Sequence, residues 1–415
     1  MKKFFQLWNK RTISVLLMGF ASGLPLVLIG STLQAWYTVT GVSLMTIGTL
    51  TLVQQPYIFK FLWAPLMDRY TPLKKMGRRR GWIFLMQVAL FLSLLVMAYL
   101  KPETHPWLLA DAALLVAFFS ATQDVSIDAY RTDILAPDEK GLGSALTSIG
   151  YRVAMLIAGA VALILAGEIG WRVTYMIMAL IMLWECLVTL WAPKPRSVDM
   201  PPQTLLNAVI EPMQDFFKRG VKPACAILLF IMLYKIADAL ALSLNTAFLI
   251  RGVGFSLIAI GGIYKIVSLV ATLLGSFIGG VWFNRLGLYR SLMIFGVLQT
   301  AANLTFMWLA LAGKSYLIMV TAVFSDYFCG GLGSVAMIVL LMNLCNHRFT
   351  ATQYALFSAV AAIPRVFIGP LAALLVDHFG WAEFYGISFF FGFPALILLW
   401  WLKKSPAQRE IFKLN

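Results

Sequence analysis

The residues best equipped for chemistry are ionisable side chains set inside long apolar stretches: Lys60, Asp124, Asp128, Arg152, Glu185, Lys235, Asp238, Lys265, Asp326 and Arg365. Such groups are costly in hydrocarbon, and inside a membrane span they mark a functional site by default. Asp124 follows Gln123, and Asp128 lies one helical turn further on, so the two carboxylates share a face. Two acids so close in low-dielectric surroundings do not both stay ionised, and one keeps a proton. That is the equipment of a proton relay. The competing reading is an ion-pair network that ties two helices together. Arg152, next to Tyr151, falls at a depth from which it reaches Asp124 on a neighbouring antiparallel helix.

A second set comprises Tyr234, Lys235, Asp238 and Asn245 at helical spacing, with Lys60 and Lys265 on separate segments. Lys235 and Asp238 either neutralise one another or take part in binding. Basic and acidic members of the buried set are equal in number, so protonation of one acid leaves the set positive, which suits an anionic substrate. Metal and acyl chemistry lack equipment. His105, His347 and His378 lie at or near the ends of apolar runs, no HExxH or GxSxG occurs, and Cys186, Cys225, Cys329 and Cys345 form no CxxC. Neither an enzyme nor a resident cofactor or metal is expected.

The elements that must position these residues follow from composition. Of 415 residues, 60% are hydrophobic and 12% charged, and the mean hydropathy is +0.83. Soluble domains carry about 25% charged residues, so a water-soluble enzyme and a disordered chain are both excluded. Apolar runs long enough to span a bilayer fall at 12–36, 46–67, 82–100, 108–131, 142–167 and 171–192, then at 223–248, 257–282, 290–312, 315–343, 351–376 and 383–402. The expected fold is all-α and transmembrane, with twelve helices in two groups of six. The domains expected are 1–192, a linker at 193–222, 223–402 and a tail at 403–415. Leu205, Leu206, Val209, Ile210, Met213, Phe216 and Phe217 give the linker an apolar helical face.

With the N-terminus placed in the cytoplasm, only Lys101, Arg172, Arg251 and Lys314 of 33 basic residues fall in loops on the opposite side. That bias places both termini in the cytoplasm. It also explains the net charge of +15 without nucleic acid as a partner. The run Arg78-Arg79-Arg80 reads as a topology signal touching lipid phosphate. Trp36, Trp107, Trp171 and Trp381 fall at span ends, where aromatic belts lie. Gly23, Pro25, Pro56, Pro364 and Pro370 interrupt helices, as residues lining a cavity or a bend do.

The two groups of six are repeats. Gly41-Val42-Ser43-Leu44 aligns with Gly254-Phe255-Ser256-Leu257, Ile47-Gly48 with Ile260-Gly261 and Arg152-Val153 with Arg365-Val366, all at an offset of 213. Parallel six-helix halves around a central cavity are the major-facilitator architecture. Asp68-Arg69 followed by Gly77-Arg78-Arg79-Arg80 resembles the helix 2–3 signature of that superfamily, with Thr71 to Met76 as an insert. The signature implies a conformational latch at Asp68 and Arg69. Because Arg152 and Arg365 are symmetric, they serve either the fold or, for Arg152 alone, the relay. Asp124, Lys60 and Asp238 have no counterparts, so folding does not demand them twice.

A closer resemblance lies in Gly19-Phe20-Ala21-Ser22-Gly23-Leu24-Pro25-Leu26, Phe59-Lys60-Phe61-Leu62-Trp63-Ala64-Pro65-Leu66-Met67-Asp68-Arg69-Tyr70-Thr71-Pro72, Gln123-Asp124 and Phe248-Leu249-Ile250-Arg251-Gly252-Val253-Gly254-Phe255. Over nearly its whole length the chain resembles AmpG-type muropeptide permeases. Some members carry further C-terminal helices, and twelve are expected here. The resemblance implies proton-driven import of N-acetylglucosaminyl-1,6-anhydro-N-acetylmuramyl peptides across the bacterial inner membrane. That import feeds peptidoglycan recycling and signals β-lactamase induction. The partners expected are muropeptide, protons and the lipid bilayer, with a monomer as the working unit. Proton coupling is assigned to Asp124, Asp128 and Arg152, and substrate binding to Lys60, Gln123, Tyr151, Lys235, Asp238, Asn245 and Lys265. The rival readings are another large anionic substrate, such as an acyl-CoA, lipid or peptide, and a receptor that senses muropeptide without transporting it.

Overall fold

A computed structural model describes residues 9–135, 139–195, 214, 216–217, 220–345 and 350–404. Among them eleven helices are long and apolar enough to cross a membrane: α1 (Lys10–Val39), α3 (Arg78–Tyr99), α4 (Pro106–Ile134), α5 (Leu146–Ile169), α6 (Trp171–Trp191), α7 (Val221–Gly252), α8 (Leu257–Phe283), α9 (Arg285–Ala312), α10 (Tyr316–Leu344), α11 (Leu356–Phe379) and α12 (Trp381–Lys404). The remaining expected span, α2 (44–69), is a chain of short α and 3-10 pieces from Leu44–Thr49 to Ala64–Arg69. Pro56 and Pro65 each begin a piece, because proline cannot donate the helical hydrogen bond. α8 and α9 are joined by a tight turn at Gly287, whose non-helical backbone (φ +71) is a conformation in which a Cβ would clash.

The chain divides into two compact units, one of residues 1–42, 53–203 and 256–262 and the other of 43–52, 204–255 and 263–415. Each unit is therefore one half of the chain with a short exchanged segment, and the exchanged segments 43–52 and 256–262 begin at positions equivalent under the offset of 213. In the second unit the start of α2 lies so close to α11 that a Cβ on Gly48 would sit 2.5 Å from the Gly369 carbonyl oxygen. Thr51 Oγ1 donates to the Val366 carbonyl there (2.8 Å). In the first unit the start of α8 meets α5 in the same way, with a Cβ on Gly261 2.7 Å from the Ala160 carbonyl oxygen.

Within the first unit, α1 and α5 pack backbone to backbone. A Cβ on Gly19 or Gly23 would lie 2.5 Å from the carbonyl oxygen of Thr147 or Tyr151. One turn past Gly23, and just after Pro25, α1 loosens into a π segment, Leu28–Thr32. α5 does the same at Ile157–Val161. The backbone groups involved need partners in a membrane interior. Tyr175 Oη donates to the Leu28 carbonyl (2.9 Å) and Thr32 Oγ1 to the Ala158 carbonyl (2.6 Å). Near the end of α1, Trp36 is buried and stacks on Trp171, the first residue of α6, at 5.5 Å.

The arginine run also differs from expectation. Arg80 is buried, and its guanidinium donates to the carbonyls of Thr189 (3.0 Å) and Leu190 (2.7 Å) at the end of α6. Arg79 pairs with Asp133 of α4 at 3.0 Å. Two of the three arginines thus tie helices together instead of facing lipid, because helix-end carbonyls attract a cation. Of the linker's apolar face, Leu205, Leu206, Val209, Ile210 and Met213 lie outside the described residues. Phe216 is buried against Phe357 (4.9 Å) in the second unit's core.

Candidate functional site

A polar cavity of about 350 Å³ opens within the first unit, lined by Ser22, Asp124, Asp128, Arg131, Thr147, Ser148, Tyr151 and Arg152. The glycine contacts explain its position. With no side chains between α1 and α5, Ser22 comes level with Tyr151 and Arg152, and α4 supplies the acidic wall.

Asp124 is half-buried in that wall. Ser22 Oγ donates to its Oδ1, and Lys60 and Asp128 are the charges that act on it most. Lys60 begins a 3-10 turn of α2. The turn is held to α4 by Trp63, whose Nε1 donates to Thr122 Oγ1 (3.0 Å) and whose ring meets Phe118 at 5.0 Å. Asp128 is exposed at the mouth and pairs with Arg131 at 3.1 Å. The two acids one turn apart therefore have unequal surroundings, one inside beside a hydroxyl and a lysine, the other at the rim beside an arginine. Such a pair can pass a proton between rim and interior, since a carboxylate accepts only as its neighbours release it.

Arg152 lines the same cavity, is exposed, and has no ion-pair partner among the described residues. The sequence pairs it with Asp124; in the structure Ser22 bonds that carboxylate, and Arg152 stays open to the cavity. Tyr151 lines the cavity as well. Gln123 does not. It is wholly buried on the other side of α4, because adjacent helical residues point about 100° apart, and neither side-chain amide atom has a partner among the described residues. The side chain of Asp68 lies outside the described residues. Arg69 is exposed, 6.0 Å from the Tyr70 ring.

The second unit holds the other residues. Lys235 and Asp238 form a loose pair at 3.9 Å, both half-buried on α7. Asn245 is buried and donates to Tyr264 Oη (3.3 Å), which shares a 2.7 Å bond with Tyr327 Oη. Lys265 lies half-buried, 5.4 Å from the Tyr264 ring. Sequence reasoning missed Ser22, Trp63 and Thr122, which carry no charge and are ordinary in membrane helices. Glu185 is wholly buried on α6, and neither of its carboxylate oxygens has a partner among the described residues.

Comparison with known proteins agrees with this architecture. Residues 12–368 match the Major Facilitator Superfamily. The anhydromuropeptide permease of Escherichia coli K12 is 47% identical over 94% of this chain and 79% of its own length. A protein of Rickettsia conorii named putative transporter AmpG 4 is 31% identical, over 94% and 96%. Among solved structures, a mutant of the nucleoside transporter NupG superposes with a TM-score of 0.74 at 14% identity, covering 98% of this chain and 100% of its own. That likeness bears on the fold alone. The chain is therefore a multi-pass membrane transporter, not an enzyme, and belongs to the Major Facilitator Superfamily and, within it, to the family of anhydromuropeptide permeases.

Proposed function

We propose that the protein imports anhydro-muropeptides into the cytoplasm in symport with protons, as a monomer in the bacterial inner membrane with both termini cytoplasmic. The substrate class rests on the 47% identity to a permease of that name. Proton coupling rests on one observation, Asp124 held by Ser22 in the wall of a polar cavity with a second acid one turn away. In this reading Asp128 at the rim exchanges protons with water and Asp124 stores one. Arg152, uncommitted to either acid, meets an anionic group of the substrate or the vacated carboxylate. Lys60, Lys235 and Lys265 face the peptide carboxylates, for which a compact point charge on a flexible stem is suited. Tyr151, Asp238 and Asn245 complete the binding set, Gln123 being turned away from the cavity, and Asp68 with Arg69 latches one conformation.

The test is uptake of labelled N-acetylglucosaminyl-anhydro-N-acetylmuramyl tripeptide into proteoliposomes under an imposed pH gradient. The reading expects accumulation when the outside is acidic and its loss with a protonophore. Accumulation of an acyl-CoA, lipid or unrelated peptide in place of muropeptide would contradict the substrate. Binding without accumulation would make the protein a sensor.

A further inference from the structure

We propose that Asp326 on α10 is a second proton-carrying site, built wholly within the second unit, and that its proton leaves through Asp238. Asp326 is 1% exposed, and neither carboxylate oxygen has a hydrogen-bond partner among the described residues. A carboxylate in that position without a bonded cation is far costlier than the neutral acid, so the resting group is the acid.

The surroundings make the proton exchangeable. The charges acting on Asp326 are Asp238 and Lys235 of α7, themselves held at 3.9 Å, longer than a tight ion pair. Two carboxylates and one ammonium leave one negative charge unmatched, and the trio is neutral when it binds one proton. The other ionisable side chains around Asp326 are the phenols of Tyr264 on α8, Tyr327 on α10 and Tyr385 on α12, and the thiol of Cys329. None of these is a charged group at neutral pH.

A route is present. Asp238 borders a void of about 10 Å³ shared with Gln299 and Thr300, room for about one water. Both amide atoms of Gln299 are buried without partners among the described residues, as is Asn303 Oδ1 one turn along α9. Gln299 faces α10 one to two turns from Asp326, since a Cβ on Gly333 would meet its Oε1 at 2.5 Å. In the step, the Asp326 O–H bond breaks, an O–H bond forms on the Asp238 carboxylate, and the Lys235 ammonium parts from Asp238. No electrons change hands. The offset of 213 places Ala113 opposite Asp326 in the first half, so the repeat does not require an acid here. Glu185 is equally buried and unpartnered but has no charged side chain beside it among the described residues, so it has nowhere to send a proton.

The proposal deepens the symport reading and shares only its driving force, so its test uses proton binding and not uptake. Purified full-length protein carrying ¹³C-carboxyl aspartate is followed by infrared difference spectroscopy across a pH series. The expected result is an isotope-shifted neutral-carboxyl band that D326N removes and D238N moves along the pH axis. A D326N spectrum superimposable on wild type overturns the proposal. If D326N does not fold, D238N decides: a band that does not move overturns it. In proteoliposomes D326N is further expected to carry one proton fewer per substrate, and an unchanged ratio counts against the proposal. Should wild type show no proton-driven uptake at all, symport fails while the infrared result still reports on Asp326.

Discussion

At the scale of single residues, the site's two acids differ in what surrounds them, and their variants should differ accordingly. Asp124→Asn keeps the shape and the Ser22 contact but cannot cycle a proton. It should abolish gradient-driven accumulation while leaving substrate exchange, which moves no net proton. Asp128→Asn, at the exposed rim, should also abolish accumulation. Initial rates of labelled uptake and of counterflow separate the two activities, and normal driven uptake by both variants would remove the relay. Arg152→Ala should stay folded, since no bonded partner is stranded, and should shift the pH profile of transport. Arg365→Ala should not shift it. An unchanged profile for a well-folded Arg152→Ala protein contradicts the assignment. Replacing Lys60, Lys235 or Lys265 by Gln should weaken transport of tripeptide-bearing substrate more than of the peptide-free disaccharide. The acids were legible in the sequence because charge in an apolar run is rare and costly. Ser22 and the anchor Trp63–Thr122 were not, because nothing in their types distinguishes them from ordinary span residues until α1, α2 and α4 are brought together.

At the scale of helices, the site depends on how closely α1 approaches α5 and how firmly α3 holds α6. Gly23→Leu places a side chain where the Tyr151 carbonyl now sits. Overpacking of this kind costs about 1–3 kcal/mol, and here it also pushes back the wall that carries Tyr151 and Arg152. Lower thermal stability together with weaker muropeptide binding is expected. Stability loss with unchanged binding would separate the packing from the site. Arg80→Ala removes donors from two carbonyls at the end of α6. Leaving such groups unpaired costs about 1–3 kcal/mol, whereas Arg79→Ala breaks a partly exposed pair worth about 1 kcal/mol or less. Thermal unfolding in detergent should therefore rank Arg80→Ala below Arg79→Ala, and the reverse order would contradict the capping role. The sequence marked the loop through Gly77-Arg78-Arg79-Arg80 but pointed the arginines at lipid. Burial of a guanidinium depends on the carbonyls of α6, a hundred residues away, which no local pattern reports. The breaks at Pro25 and Pro56 were legible, because proline removes a donor wherever it stands. The π segments that follow Pro25 and lie within α5 were not.

At the scale of the whole chain, the spans and the repeat were legible because a bilayer demands about 20 apolar residues per helix and a shared offset survives where individual identities have faded. The exchange of residues 43–52 and 256–262 between the two units was hidden, since it is decided by which half each helix end packs on, not by its composition. The central claim is that substrate and proton move together through the site at Asp124. It is tested most directly by adding labelled anhydromuropeptide outside proteoliposomes with no imposed gradient, while lumenal pH and lumenal label are followed together. Entry of the sugar peptide should acidify the lumen in step with the label for the wild-type protein, and Asp124→Asn should admit label with at least one proton fewer per substrate. Label entering the wild-type vesicles at constant lumenal pH, or acidification undiminished in Asp124→Asn, would contradict it.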